Sequence, residues 1–176
     1  MIVTNILVPV DFSPNATLAL AGAVDLATVY QAQLTVVYVI PQVIFHPDWA
    51  ADVEETLDIA DISAEARQTL GKMTAPYRQA GVPISTQVLA GGPYVEIVRL
   101  ARQIGADLIV IGAHGTADRL PLLMGSVAEQ VVRDAPCSVL TVRAPHPATA
   151  SPRPVEAQET RCCVHQALAA MPEERS

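Results

Sequence analysis

The chain has 176 residues, of which 51% are apolar and only 4% aromatic, with a formal net charge of −7. That length suits one domain with a full core. The acidic balance, with Lys72 as the only lysine, argues against non-specific binding to nucleic acid or to anionic membranes.

Apolar runs and helix-period stretches alternate along the chain. Residues 6–10 (Ile-Leu-Val-Pro-Val) read as a first strand, with Pro9 tolerable where no ladder bond is needed. Residues 1–10 have no basic region, so they are expected to be a strand and not a secretory leader. Asp11-Phe12-Ser13-Pro14 looks like a helix start, with Ser13 as N-cap and Pro14 at the first helical position. The helix after it carries Ala16, Ala19, Leu20, Ala23, Leu26, Ala27 and Tyr30 on one stripe. Residues 34–40 are a second strand, rich in β-branched side chains.

A longer connection covers 41–54, and a second helix is expected over about 58–80. Its stripe is Ala66, Leu70, Met73 and Tyr77, Gly81 ends it, and Pro76 should kink or break its last turn. Residues 82–89 are a third strand. Gly91-Gly92-Pro93 opens a third helix with Ile97, Leu100, Ala101 and Ile104 inward. Residues 108–111 are a fully apolar fourth strand, as expected between two helical layers. A fourth helix is expected over 125–134, and a fifth strand over 137–142. This order predicts an α/β fold, a parallel sheet with helices on both faces and right-handed crossovers. Beyond residue 143 four prolines between 145 and 154 read as an extended linker, and 155–176 as a tail, helical or disordered.

The most specific signal lies between the fourth strand and the fourth helix. Gly112-Ala-His114-Gly115, nine residues, then Gly125-Ser126 is a phosphate-binding arrangement. Glycines let backbone N–H groups approach an anion, and a helix start adds unpaired donors and the positive end of a dipole. Ligands in open parallel sheets bind beyond the carboxyl ends of the strands, where strand order reverses. Asp11 and the glycine loop both lie at such ends. Asp11 can accept hydrogen bonds from a nucleoside or meet magnesium through water. Arg119, in the nine-residue spacer, could reach a terminal phosphate or be a surface residue. His114 has no serine partner or orienting carboxylate placed by sequence, so no catalytic residue is assigned.

Other signals point elsewhere. Phe45, His46 and Trp49 could cover an adenine pocket or form a peripheral cluster. Cys162, Cys163 and His165 lack a fourth ligand, and no metal site is assigned. Cys137 reads as a small buried apolar residue. Three cysteines without a spaced framework suit a reducing cytosol. The chain has no Gly-Lys-Ser/Thr loop and no Gly-x-Gly-x-x-Gly after the first strand.

Residues 6–13, 106–115, 124–132 and 135–142 resemble the universal stress protein family, and the resemblance spans about 2–143. All three glycines and the serine match its ATP-binding branch. The resemblance implies an open, Rossmann-like five-stranded sheet of order 3-2-1-4-5 and a homodimer through the fifth strand, Ser138–Val142. Carried over, Pro9, Val10 and Asp11 would meet the adenosine and Val39 the adenine. Gly112, His114 and Gly115 would wrap phosphates and ribose. Gly125, Ser126 and Val127 would offer donors to the phosphates. Ala16 stands where many members carry serine, and the extension after Arg143 has no counterpart. The expected protein is a cytoplasmic stress-response regulator that binds ATP with or without magnesium, with weak or no hydrolysis and an unidentified protein partner. A nucleotide-free dimeric interaction module and a slow ATP-hydrolysing enzyme are the alternatives.

Overall fold

A computed structural model describes residues 2–41, 59–79, 81–115 and 124–144. They run β1 (Asn5–Pro9), α1 (Pro14–Tyr30), β2 (Gln33–Pro41), α2 (Ile59–Gln79), β3 (Ile84–Gly91), α3 (Pro93–Ile104), β4 (Leu108–Gly112), α4 (Ser126–Asp134) and β5 (Ser138–Val142). Among the described residues, five parallel strands pair in the order β3-β2-β1-β4-β5, the expected topology. These residues belong to one compact unit that ends at Ala144.

The period of two along each strand divides the core between two faces. Ile6, Val8, Leu34, Val36, Leu108 and Val110 point to the side where α1 and α2 supply Ala19, Leu20, Ala23 and Leu70. Leu7, Val37, Val39, Ile109 and Ile111 point to the side where α3 and α4 supply Ile97, Leu100, Ala101 and Val131. Strands buried on both faces read as continuous apolar runs, which is why β1, β2 and β4 are visible in the sequence.

Helix α1 starts as its sequence dictates: Ser13 Oγ accepts from Ala16 N at 3.1 Å, and Pro14 follows it. Its inward stripe differs from expectation. Val24 is buried, whereas Tyr30 is 48% exposed. A helix that is apolar on nearly all sides gives little contrast from which to read its face. Helix α2 passes through Pro76 and runs on to Gln79, so the proline does not end it. Two residues earlier, Thr74 is fully buried and its hydroxyl donates to Leu70 O at 2.8 Å. Strand β3 begins two residues later than expected, after Pro83, which cannot donate to a ladder. Cys137 is half-buried; burial and the nearby Asp107 carboxylate push its thiol pKa up.

The sheet has two edges. At β3, Leu34 N bonds Pro83 O, so the next carbonyl, that of Ile84, faces outward. Arg78 Nε donates to this carbonyl at 3.2 Å, and Arg78 Nη2 donates to Thr86 Oγ1 at 3.3 Å. At β5, Val142 O is taken by Ala113 N, so by alternation Val139 and Thr141 turn their backbone groups to the open edge.

Asp107 ties the amino-terminal ends of β1 and β4 together. Its Oδ2 accepts from Thr4 N (2.8 Å), Thr4 Oγ1 (2.8 Å) and Asn5 N (3.0 Å). These bonds, led by the Thr4 amide, hold its pKa below the ordinary carboxylate value. A carboxyl with a lowered folded-state pKa stabilises the fold above its unfolded pKa of about 4, and that contribution is lost as pH falls through the folded value. Urea melts at neutral pH and in steps below about pH 4 should therefore show a shallower acid decline for Asp107→Asn than for wild type.

Candidate functional site

The site starts from one proline. Val10 N donates to Val37 O at 2.9 Å, so Val10 faces β2 and, by alternation, Pro9 faces β4. Pro9 has no N–H to give on that side. β1 stays registered with β2 through Pro9↔Val37, but its registered pairs with β4 stop at Leu7↔Ile109. The carboxyl ends of β1 and β4 are thereby released from each other, at the switch point of the strand order.

A cavity of about 330 Å³ fills this crevice, a size usual for small-molecule sites. Pro9, Val10, Asp11, Val39, Gly112, His114, Gly115, Gly125, Ser126 and Val127 all line it. Thus every candidate residue within the described residues meets at one place. Arg119, Phe45, His46, Trp49, Cys162, Cys163 and His165 lie outside the described residues. Ile97, Ile111, Pro41 and Pro93 also line the cavity and give it a largely apolar wall. Sequence reading missed them as site residues because core and wall residues look alike.

After β1 the chain turns through Phe12, which has a positive φ of 63°. For a bulky residue that backbone costs about 1–2 kcal/mol. The Phe12 ring packs on Tyr38 with centroids 4.7 Å apart, a contact of comparable worth, about 0.5–1.5 kcal/mol. Asp11 Oδ1 accepts from Ser13 N at 3.0 Å, closing a side-chain turn beside the cavity.

The glycine loop leaves β4 against the first turn of α1. A Cβ on Gly112 would stand 3.0 Å from Asn15 C and 3.1 Å from Ala16 N. Gly112 is thus required by packing on α1, whatever it does for a ligand. Gly125 is the N-cap of α4 with extended backbone (φ −61°, ψ 145°), and the helix proper begins at Ser126. The Gly125 N–H is spent on Ala113 O at 2.8 Å. The donors at this helix start are therefore the N–H groups of Ser126, Val127 and Ala128, which precede the first intrahelical bond and have no side-chain cap.

The electrostatics follow from this set. Among the described lining residues Asp11 is the only carboxylate, and His114 is the only side chain able to carry positive charge. An anion here would be held by backbone N–H groups and the α4 dipole. The His114 Nε2 atom is buried and has no hydrogen-bond partner among the described residues. A buried polar atom calls for a partner, and a ligand group in the cavity would supply one. No group of three or more potential metal-ligating side chains occurs among the described residues.

A parallel sheet of this order, with a cavity at its switch point, defines a doubly wound α/β protein. The chain belongs to the universal stress protein family, whose profile matches residues 3–143. It is 32% identical over 143 residues to the universal stress protein MJ0531 of Methanocaldococcus jannaschii, covering 80% of this chain and 82% of that protein. Among solved structures it is similar to the universal stress protein UspA from Lactobacillus plantarum, with 34% identity and a TM-score of 0.72 over 81% of this chain and 99% of that one. It is also similar to the universal stress protein from Archaeoglobus fulgidus in complex with dAMP, with 28% identity and a TM-score of 0.58 over 81% of this chain and 99% of that one.

Proposed function

We propose that this protein binds an adenine nucleotide, ATP in the first instance, in the cavity between β1 and β4, and acts as a regulator in the cytoplasm with slow or no hydrolysis. The observation that carries the reading is the gathering of Asp11, the Gly112–Gly115 turn and the donor start of α4 around one cavity. The dAMP complex of the Archaeoglobus fulgidus relative supports the adenine class. In this reading the apolar wall at Val39 takes the base, and Gly115, Ser126, Val127 and Arg119 take the phosphates. Asp11 meets the sugar or a water-held magnesium ion. The nucleotide-binding domain is residues 1–143, with 144–176 as a linker and tail. The absence from the sequence of a Gly-Lys-Ser/Thr loop supports weak hydrolysis. Nucleotide extracted from the purified full chain and identified by mass spectrometry tests the reading. Recovery of no nucleotide, together with no response to added ATP, AMP or adenosine in calorimetry, would leave the interaction-module alternative.

A homodimer through β5 belongs to the same proposal. Its open edge combines apolar Val139 with an exposed Leu140 (42%), and Val132 on α4 is 47% exposed. An edge that neither charge nor proline interrupts favours pairing with a second copy, and a two-fold axis closes that contact. Thr141→Pro removes one outward N–H. Sedimentation should then shift from dimer to monomer mass, while Arg78→Ala at the other edge should leave the dimer intact. A wild-type monomer at micromolar concentration would refute this interface.

A further inference from the structure

The side chain of Asn15, in the first turn of α1, makes two long-range bonds. Its Nδ2 donates to the His114 carbonyl at 3.2 Å, and its Oδ1 accepts from Ala144 N at 2.8 Å. The two partners fix the amide orientation, because a flipped side chain would set oxygen against oxygen and N–H against N–H. One residue thus grips the glycine loop and the chain just beyond β5. The loop is also bound to that strand directly, through Ala113 N to Val142 O at 2.8 Å. Gly112 lies against the backbone of Asn15, which would have to give for a Cβ to fit. The loop therefore has little freedom to move without moving Asn15.

We propose that Asn15 is a positioning residue that couples occupancy of the cavity to the backbone at Ala144. It holds the His114 carbonyl, and hence the turn from which the imidazole Nε2, without a partner among the described residues, is presented. A ligand that engages this turn tightens the Asn15 bond to His114. Because both bonds come from one planar amide, the Ala144 bond tightens with it. This inference rests on the nucleotide reading of the cavity and adds to it a regulatory output at the end of β5.

The test uses the full chain, ATP as probe, and residue-resolved hydrogen exchange. In wild type, ATP should slow exchange both at Val127 and Ala128, at the start of α4, and at Ala144. Asn15→Leu removes both bonds without adding charge. It should weaken ATP binding by about three- to tenfold, as expected for one ordinary hydrogen bond. Its Ala144 amide should exchange fast and no longer respond to ATP, while Val127 and Ala128 still respond. Asn15→Asp keeps the acceptor for Ala144 and loses the donor to His114. Its Ala144 amide should stay protected but become indifferent to ATP, which a merely structural role would not produce. If wild-type Val127 and Ala128 ignore ATP, the nucleotide reading falls and this inference with it. If they respond and Ala144 does not, or if Asn15→Leu behaves as wild type, the coupling alone is overturned.

Discussion

Replacing Ser126 with proline should cut affinity for adenine nucleotide by about a hundredfold or more and leave the fold intact. The position suits proline on two counts. Ser126 is the first residue of α4, where proline's fixed φ is already helical and its missing N–H breaks no intrahelical bond. The residue before it, Gly125, has ψ 145°, within the extended range that a following proline requires. The substitution therefore removes only what faces the cavity, one N–H and one hydroxyl. Hydrogen bonds to a charged group are worth about 1.5–3 kcal/mol each, and two of them amount to two decades or more in affinity. Calorimetric titration with ATP beside a thermal melt would check it. Native affinity with a native melt would remove α4 from the binding site.

A valine at Gly112 should damage both stability and binding, for a different reason. Its Cβ would meet the backbone of Asn15 at 3.0 Å, and backbone in the first turn of a helix cannot step aside as a flexible side chain can. Overpacking of this kind costs about 1–3 kcal/mol, or roughly 3–10 °C in melting temperature for a domain of this size. Gly22, inside α1, is the opposite case. Nothing lies within 4 Å of the Cβ it would carry. Gly22→Ala should therefore raise stability by about 0.5–1 kcal/mol. Melts of the two variants in parallel separate a glycine that packing requires from one that it does not. Equal effects would contradict this account of Gly112.

The contrast shows how far the sequence is legible here. Strands β1, β2 and β4 are short apolar runs between turn signals, and burial on both faces makes such runs unavoidable. The start of α1 is equally plain, since Ser13-Pro14 is local chemistry. The spacing of Gly112, Gly115, Gly125 and Ser126 locates the cavity because each lies at a strand end or a helix start. What escapes is what depends on distant partners. Asn15 looks like an ordinary first-turn residue, and its bonds reach 99 and 129 positions along the chain. Gly125 reads as a phosphate donor, yet its N–H is spent on Ala113. Pro76 reads as a kink or a break in the last turn of a helix expected to reach about residue 80, and α2 runs past it to Gln79, so of the two the break does not occur. Tyr30 reads as inward because α1 is apolar on nearly every side, so periodicity there has little to contrast.

The guanidinium of Arg78 has a consequence for how many copies can join. A parallel sheet with two bare borders has a valence of two and can grow without limit into a fibre. Here one border has its outward carbonyl at Ile84 occupied by the same chain's own arginine. The β3 border therefore offers a second copy one acceptor fewer at its start, whereas no such side chain is seen at Val139 or Thr141 on the β5 border among the described residues. In the proposed dimer this difference favours pairing through β5, and a particle that joins through one border alone stops at two copies.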